Sequence, residues 1–64
     1  QTSPMQFLKQ LRLSRAAAAL VQSNRLVSQI ALAEGFCDQA HFTREFKRAF
    51  GTTPKVWRER DLGG

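Results

Sequence analysis

The stretch GFCDQAHFTREFKRAFGTTP, residues 35–54, decides the fold of this chain. At about 100° per residue, four apolar side chains share one side of a helix: Phe42, Phe46, Ala49 and Phe50. Cations, one imidazole and a small residue lie across from them or on the flanks: Ala40, His41, Arg44, Lys47 and Arg48. This division predicts a helix whose back is buried and whose front can enter a groove of DNA.

Local signals set both ends of this helix. Asp38 is a suitable N-cap, and Gly51 suits the left-handed position after the last turn, which predicts a helix over 38–50. Before it, Gly35 can supply the positive φ that a short turn between two helices usually needs. Phe36 is expected to fill the core beneath that turn. The stretch therefore predicts a helix-turn-helix.

Three further helices are predicted around this one. Ser3-Pro4 resembles a cap followed by a first-turn proline and opens a helix to about Gln22. Asn24 is a plausible cap for a second helix, and Thr53-Pro54 repeats the cap-then-proline start. We find no strand pattern and no internal repeat. The sequence predicts an all-α fold with helices over approximately 4–22, 26–34, 38–50 and 54–60.

Apolar spacing indicates which faces of the other helices meet the core. The first helix carries a wide apolar band: Phe7, Leu8, Leu11, Leu13, Ala17, Leu20 and Val21. The second and fourth helices are expected to turn five residues inward: Val27, Ile30, Ala31, Val56 and Trp57. Ala31 is small where two helices must cross closely, and residues 62–64 are expected to fray.

The length and the charge of the chain limit the classes of function that it can have. Sixty-four residues support one small domain, and the net charge of +5 favours a polyanionic partner. Cys37 is the only cysteine and no metal-ligand spacing accompanies it, so neither a disulfide nor a metal site is predicted. No cofactor motif, catalytic triad or acid–base pair is recognisable, so we do not expect an enzyme. No segment resembles a signal peptide or a membrane span.

A long motif resembles the signature of AraC/XylS-type bacterial transcription regulators. It comprises Ile30-Ala31-x-x-x-Gly35-Phe36, then Phe42-x-Arg44-x-Phe46-Lys47-x-x-Phe50-Gly51-x-Thr53-Pro54, and Arg58. Ser3-Pro4, Arg12-Leu13 and the alanine-rich segment extend the likeness over nearly the whole chain. The resemblance implies a homeodomain-like helix-turn-helix fold that binds promoter DNA in the bacterial cytoplasm, at the nucleoid, and that activates or represses transcription.

The resemblance also implies how residues 1–64 are organised. In this family the DNA-binding domain carries two helix-turn-helix units joined by a long helix. Residues 3–22 correspond to that linker helix, residues 26–50 to the second unit and residues 54–60 to a C-terminal helix. The first unit, and any effector-sensing or dimerisation domain, is expected before Gln1, so the chain is expected to be a fragment.

Four residues at the start of the third helix are candidates for base contacts. Arg44 could donate bidentately to guanine, with a pair to Glu45 or a phosphate contact as alternatives. Ala40 could touch a thymine methyl group or simply face solvent. Gln39 could read adenine, or cap the helix or bind a phosphate. His41 could contact a base or a phosphate, or shield Phe42.

Other polar residues are better suited to the DNA backbone. The candidates for phosphate contacts are Thr43, Lys47, Arg48, Lys55 and Arg58. For Arg58 the alternative is a structural role as a brace within the fold. The sequence thus favours sequence-specific binding of double-stranded DNA. The alternatives are a module that contacts RNA polymerase, one that docks on the DNA backbone without reading bases, or a surface binder of RNA or membrane.

Overall fold

A computed structural model describes the backbone of residues 4–63 and the side chains of residues 4–60. The chain forms four helices in succession: α1 (Pro4–Gln22), α2 (Val27–Ala33), α3 (Gln39–Phe50) and α4 (Pro54–Gly63). Residues 4–63 contain no strand, which confirms the all-α prediction. No helix of this described part combines the length and the apolar character needed to cross a membrane. The proposed Ser3 cap and Gly64 lie outside the described residues.

The core lies where α1 crosses the other three helices, each of which it contacts. The buried apolar side chains are Leu13, Ala16, Ala17, Leu20, Ile30, Ala31, Phe36, Phe42 and Phe46. Ala16 and Ala31 are fully buried, so the alanines admit the close approach of neighbouring helices. Val27, Phe50 and Trp57 pack on this core from its edge.

The turn between α2 and α3 has the hydrogen bonds of a Schellman motif. The Phe36 N–H donates to the Ala31 carbonyl at 3.0 Å and the Gly35 N–H to the Leu32 carbonyl at 3.1 Å. Gly35 has a φ of +89°, as its position in the sequence predicted. Phe36 is buried beneath the turn next to Ala31, so the motif ends α2 and ties the next segment to the core.

The predicted ends of α3 and the start of α4 are confirmed. Asp38 Oδ1 accepts a 2.7 Å hydrogen bond from the His41 backbone N–H, which makes Asp38 the N-cap. Gly51 has a φ of +80°, and its N–H donates to the Lys47 carbonyl at 2.8 Å. Thr53 Oγ1 accepts from the Val56 N–H at 3.2 Å and caps α4.

The start of α2 differs from the prediction. Leu26, rather than Asn24, occupies the N-cap position, and the helix begins at Val27. The Gln29 side-chain oxygen accepts a hydrogen bond from the Leu26 backbone N–H at 3.2 Å. This contact satisfies a free donor from within the helix, so a side-chain cap from Asn24 is not needed. At the other end of the chain, α4 continues to Gly63, beyond the predicted end near Arg60.

Several residues predicted to be inside are exposed. Three residues of the α1 band lie on the side away from the core: Phe7, Leu8 and Leu11. Val56 is 39% exposed because Trp57, the next residue, takes the inward position on α4. Ala49 is also exposed, since it borders an open groove between α1 and α3 rather than the core.

Two side chains of α4 donate hydrogen bonds to α1 and to the loop that follows it. Trp57 Nε1 donates to the Ala17 carbonyl at 3.2 Å. Arg58 Nε donates to the Leu20 carbonyl at 2.8 Å, and its Nη2 donates to the Arg25 carbonyl at 2.6 Å and the Ser23 carbonyl at 3.4 Å. Arg58 therefore satisfies the Leu20 carbonyl, which the end of α1 leaves without a helical partner, and two carbonyls of the loop that follows.

We predict that Gly35→Val unfolds the protein more readily than Gly51→Val. Both substitutions force a β-branched residue to positive φ, at a cost of about 1–3 kcal/mol. The difference comes from the place of each glycine: Gly35 lies in the turn that brings Phe36 into the core, whereas Gly51 faces open space. An ideal Cβ at Gly35 would make only ordinary contact, 3.4 Å, with the end of the flexible Arg12 side chain. Urea unfolding followed by circular dichroism measures the difference. Equal losses would show that the turn before Phe36 adds nothing to the cost of the positive φ.

Phe46→Ala should destabilise the fold by about 3–5 kcal/mol, since the ring is fully buried and its loss leaves a cavity. Few domains of this size retain their fold after such a loss. Leu32→Ala is the matched control because Leu32 is 62% exposed, and it should change stability little. A Phe46→Ala variant with normal thermal unfolding would reverse the assignment of the inner and outer faces of α3.

Replacing Arg58 separates its two possible roles. If Arg58 braces the fold, both Arg58→Lys and Arg58→Met should destabilise the protein by about 1–3 kcal/mol, because neither new side chain can donate to three carbonyls. If Arg58 is instead a phosphate contact, both substitutions should leave the stability nearly unchanged, and Arg58→Lys should keep the affinity for DNA. Thermal unfolding of the free protein decides between them.

Candidate nucleic-acid interface

The outer face of α3 is opposite the core side of the same helix. Phe42 and Phe46 are fully buried on the inner side. The outer face, as we define it, consists of four exposed residues: Ala40, Arg44, Lys47 and Arg48. Gln39 is also exposed, at the first position of α3, but at about 100° per residue it lies on the same side of the helix as Phe46. This face thus brings together two of the four predicted base contacts, Ala40 and Arg44, and two of the predicted phosphate contacts, Lys47 and Arg48.

Among the described side chains, none pairs with the Arg44 guanidinium. The alternative partner, Glu45, is bound elsewhere: its Oε1 lies 3.0 Å from Lys9 Nζ. Within residues 4–60, no ion pair within 4 Å involves Arg44. Its five N–H donors therefore face solvent in the fork geometry that suits two acceptors at once.

His41 lies at the edge of this face and is partly buried. Its ring packs edge-on against Phe36, with the centroids 5.7 Å apart and an interplanar angle of 68°. Nδ1 is buried and has no hydrogen-bond partner among the described residues. Any contact from His41 to DNA would consequently use Nε2. The His41 ring therefore covers Phe36, whereas the alternative offered by the sequence was that it covers Phe42.

The remaining predicted phosphate contacts lie in different surroundings. Thr43 is partly buried on the flank of α3, and Lys55 is exposed in the first turn of α4. Arg58 is directed at the end of α1, where two of its nitrogens donate to carbonyl groups. Of the alternatives that the sequence left open for Arg58, this geometry favours the brace.

An ion pair that the sequence analysis missed borders the outer face. Glu45 accepts from Lys9, and this hydrogen bond holds the pKa of the Glu45 carboxyl below its ordinary value of 4.5, against the effect of partial burial. Electrostatic interactions with the side chains of Lys9, Arg48 and His41 lower the pKa further. Lys9 and Glu45 are 36 residues apart, so no local pattern could have indicated their pairing.

The described residues offer few groups suited to metal or thiol chemistry. No group of three His, Cys, Asp or Glu side chains there could hold a metal ion. Cys37 is a free, exposed cysteine in the turn before α3. The arrangement of the outer face is that of a binding surface with hydrogen-bond donors and positive charge.

Comparison with known proteins agrees with this geometry. Residues 1–60 match a family described as a helix-turn-helix domain. The chain is 44% identical over 54 residues to the HTH-type transcriptional activator RhaR of Cronobacter sakazakii, covering 84% of this chain and 19% of that protein. It is 38% identical over 61 residues to the HTH-type transcriptional regulator ArgR of Pseudomonas aeruginosa, covering 95% of this chain and 18% of that protein.

A shorter relative covers more of its own length. The chain is 43% identical over 54 residues to the probable transcription factor PqrA of Proteus vulgaris, which is 84% of this chain and 44% of that protein. No solved structure matches the chain. The chain thus spans about a fifth of RhaR and ArgR and less than half of PqrA. The match along residues 1–60 and these relatives show that the chain belongs to the AraC/XylS-type helix-turn-helix transcription regulators.

Proposed function

We propose that this chain binds double-stranded promoter DNA in a sequence-specific manner, with α3 in the major groove. The observation that carries the proposal is the division of α3 into a fully buried aromatic side and an exposed cationic side. A major groove is about 12 Å wide and admits one α-helix. The proposal assigns no catalytic step to the chain.

The base contacts in this proposal lie near the start of α3. Arg44 donates bidentately to O6 and N7 of a guanine, which needs a guanidinium that no protein acceptor occupies. Ala40, without a polar side chain, lets the helix approach closely and touches a thymine methyl group. Gln39 and the Nε2 atom of His41 contact bases at the edges of the site.

The backbone contacts hold the helix in register. Lys47 and Arg48 follow Arg44 by about one turn and bind phosphates where the helix leaves the groove. Thr43 donates its hydroxyl to a phosphate on one flank, and Lys55 approaches the backbone from α4. Arg58 is better placed to support the fold, so the proposal gives it an indirect part in DNA binding.

We further propose that residues 3–22 link this unit to a preceding one in a longer regulator. Phe7, Leu8 and Leu11 are 63%, 44% and 41% exposed, and at about 100° per residue they lie across α1 from the core residue Leu13. A helix with apolar residues on opposite sides usually packs between two bodies. The preceding helix-turn-helix, within a chain as long as the relatives, is the occupant that this face fits.

The proposal predicts different results for two cations of α3. Arg44→Ala should cost about 1–3 kcal/mol of binding free energy on the preferred duplex and remove discrimination at one base pair. Lys47→Ala should weaken all duplexes alike. Selection of random duplexes by the wild-type protein identifies the preferred site, and fluorescence anisotropy at several salt concentrations measures the affinities. With about three phosphates neutralised, log affinity should fall against log salt with a slope of roughly −3.

Three outcomes would count against this function. A salt slope near zero would remove duplex binding altogether. Equal losses for Arg44→Ala on preferred and random duplexes would make Arg44 a phosphate anchor, and the unit would then dock on the DNA backbone without reading bases. Binding to RNA polymerase with no duplex preference would favour the protein-interaction alternative.

A further inference from the structure

An open groove of about 350 Å³ separates the first half of α1 from the second half of α3. Its lining is mostly polar: Gln6, Lys9, Gln10, Leu13, Glu45, Arg48 and Ala49. One ion pair crosses it, between Lys9 Nζ and Glu45 Oε1 at 3.0 Å. The Glu45 side chain is 14% exposed and the Lys9 side chain 49%, so the carboxylate is the more enclosed partner.

Glu45 lies beside a proposed phosphate contact. Arg48 follows it by three residues on α3, the spacing at which opposite charges on a helix attract each other. Arg48 is also one of the smaller causes of the lowered pKa of Glu45. The carboxylate nevertheless pairs with Lys9, and no ion pair within 4 Å joins it to Arg48 in residues 4–60. Arg48 remains exposed on the outer face.

We propose that Lys9 is a positioning residue for DNA binding: by holding the Glu45 carboxylate, it keeps Arg48 available for a phosphate and neutralises a negative charge beside the DNA. This inference rests on the proposed function, because it concerns the same face of α3. Lys9 acts through Glu45 and Arg48, and is not itself a DNA contact.

Removing Lys9 would change the balance of charge at the groove. An unpaired Glu45 carboxylate would either repel the nearest phosphates or capture Arg48, and both results weaken DNA binding. The pair borders an open groove and its lysine is half exposed, so we expect it to add little to folding stability although the carboxylate is enclosed. A loss that appears in DNA affinity but not in thermal unfolding therefore separates positioning from a structural role.

The test is a double-mutant cycle in the chain as it stands, with affinity for the selected duplex measured at several salt concentrations. Lys9→Met, which retains an unbranched side chain without the charge, should reduce affinity about three- to tenfold and flatten the salt slope by about one unit. Glu45→Gln should bind as the wild type does or slightly tighter. Lys9→Met/Glu45→Gln should recover affinity to within about twofold of the wild type.

A matched control separates position from net charge. Lys9→Met/Glu34→Gln has the same net charge as the rescued variant, but Glu34 pairs with Arg15 at 3.7 Å, outside this groove. This variant should therefore stay as weak as Lys9→Met. In the free protein, an NMR titration should show that the pKa of Glu45 rises in Lys9→Met, whereas thermal unfolding should be nearly unchanged.

Each of the remaining outcomes would overturn this inference, and one of them would also overturn the proposed function. Unchanged affinity in Lys9→Met, with normal wild-type binding, would overturn this inference and leave the proposed function intact. Weakening that Glu45→Gln fails to rescue would make Lys9 a phosphate contact, and equal rescue by Glu34→Gln would reduce the effect to net charge. Either result overturns the positioning role. A wild-type protein that binds no duplex would instead defeat the proposed function, and this inference with it.

Discussion

The orientation of α3 depends on one continuous set of aromatic contacts. Phe42 packs between Phe36 and Phe46 in tilted and edge-to-face contacts, with ring centroids 5.1 and 5.6 Å away. Phe46 in turn contacts Phe50 at 4.5 Å and Trp57 at 5.7 Å. Turning the helix by a single residue, about 100°, would expose these rings and bring cations toward the core. The cost of burying an unpaired charge makes that alternative inaccessible. The exposed position of the cations is thus a consequence of aromatic packing.

Local chemistry explains why the sequence predicted so much of α3. Its cap at Asp38 and the glycines on either side act within a few residues, and the aromatic spacing repeats along one helix. The buried face of the first helix was harder to predict, because α1 has apolar residues on two sides and periodicity does not indicate which side meets this core. Phe7, Leu8 and Leu11 were therefore assigned inward with Leu13, although only Leu13 is buried. Asn24 failed as a cap because Gln29 satisfies the start of α2 from within.

Contacts between distant residues could not be predicted from one sequence. Arg58 lies 38 residues from Leu20, and Lys9 lies 36 residues from Glu45. Each contact needs the relative placement of two helices, which no pattern within either helix specifies. The candidate interface was more accessible to prediction because exposure on α3 follows from its own spacing. What each exposed side chain contacts on DNA depends on a partner that the sequence does not contain.

For the attraction of a polyanion, the positions of the exposed cations matter more than the net charge of the chain. A net charge of +5 suggests a generally basic surface, yet several cations are engaged within the protein. Lys9 and Arg15 pair with carboxylates, and Arg58 donates to carbonyl groups. Arg44 and Lys47 remain exposed on the side of α3 that the aromatic core turns outward. Because screening limits the reach of a surface charge to about 10 Å, cations grouped on one helix concentrate positive potential at that helix, and pairing of other cations within the protein lowers the potential elsewhere.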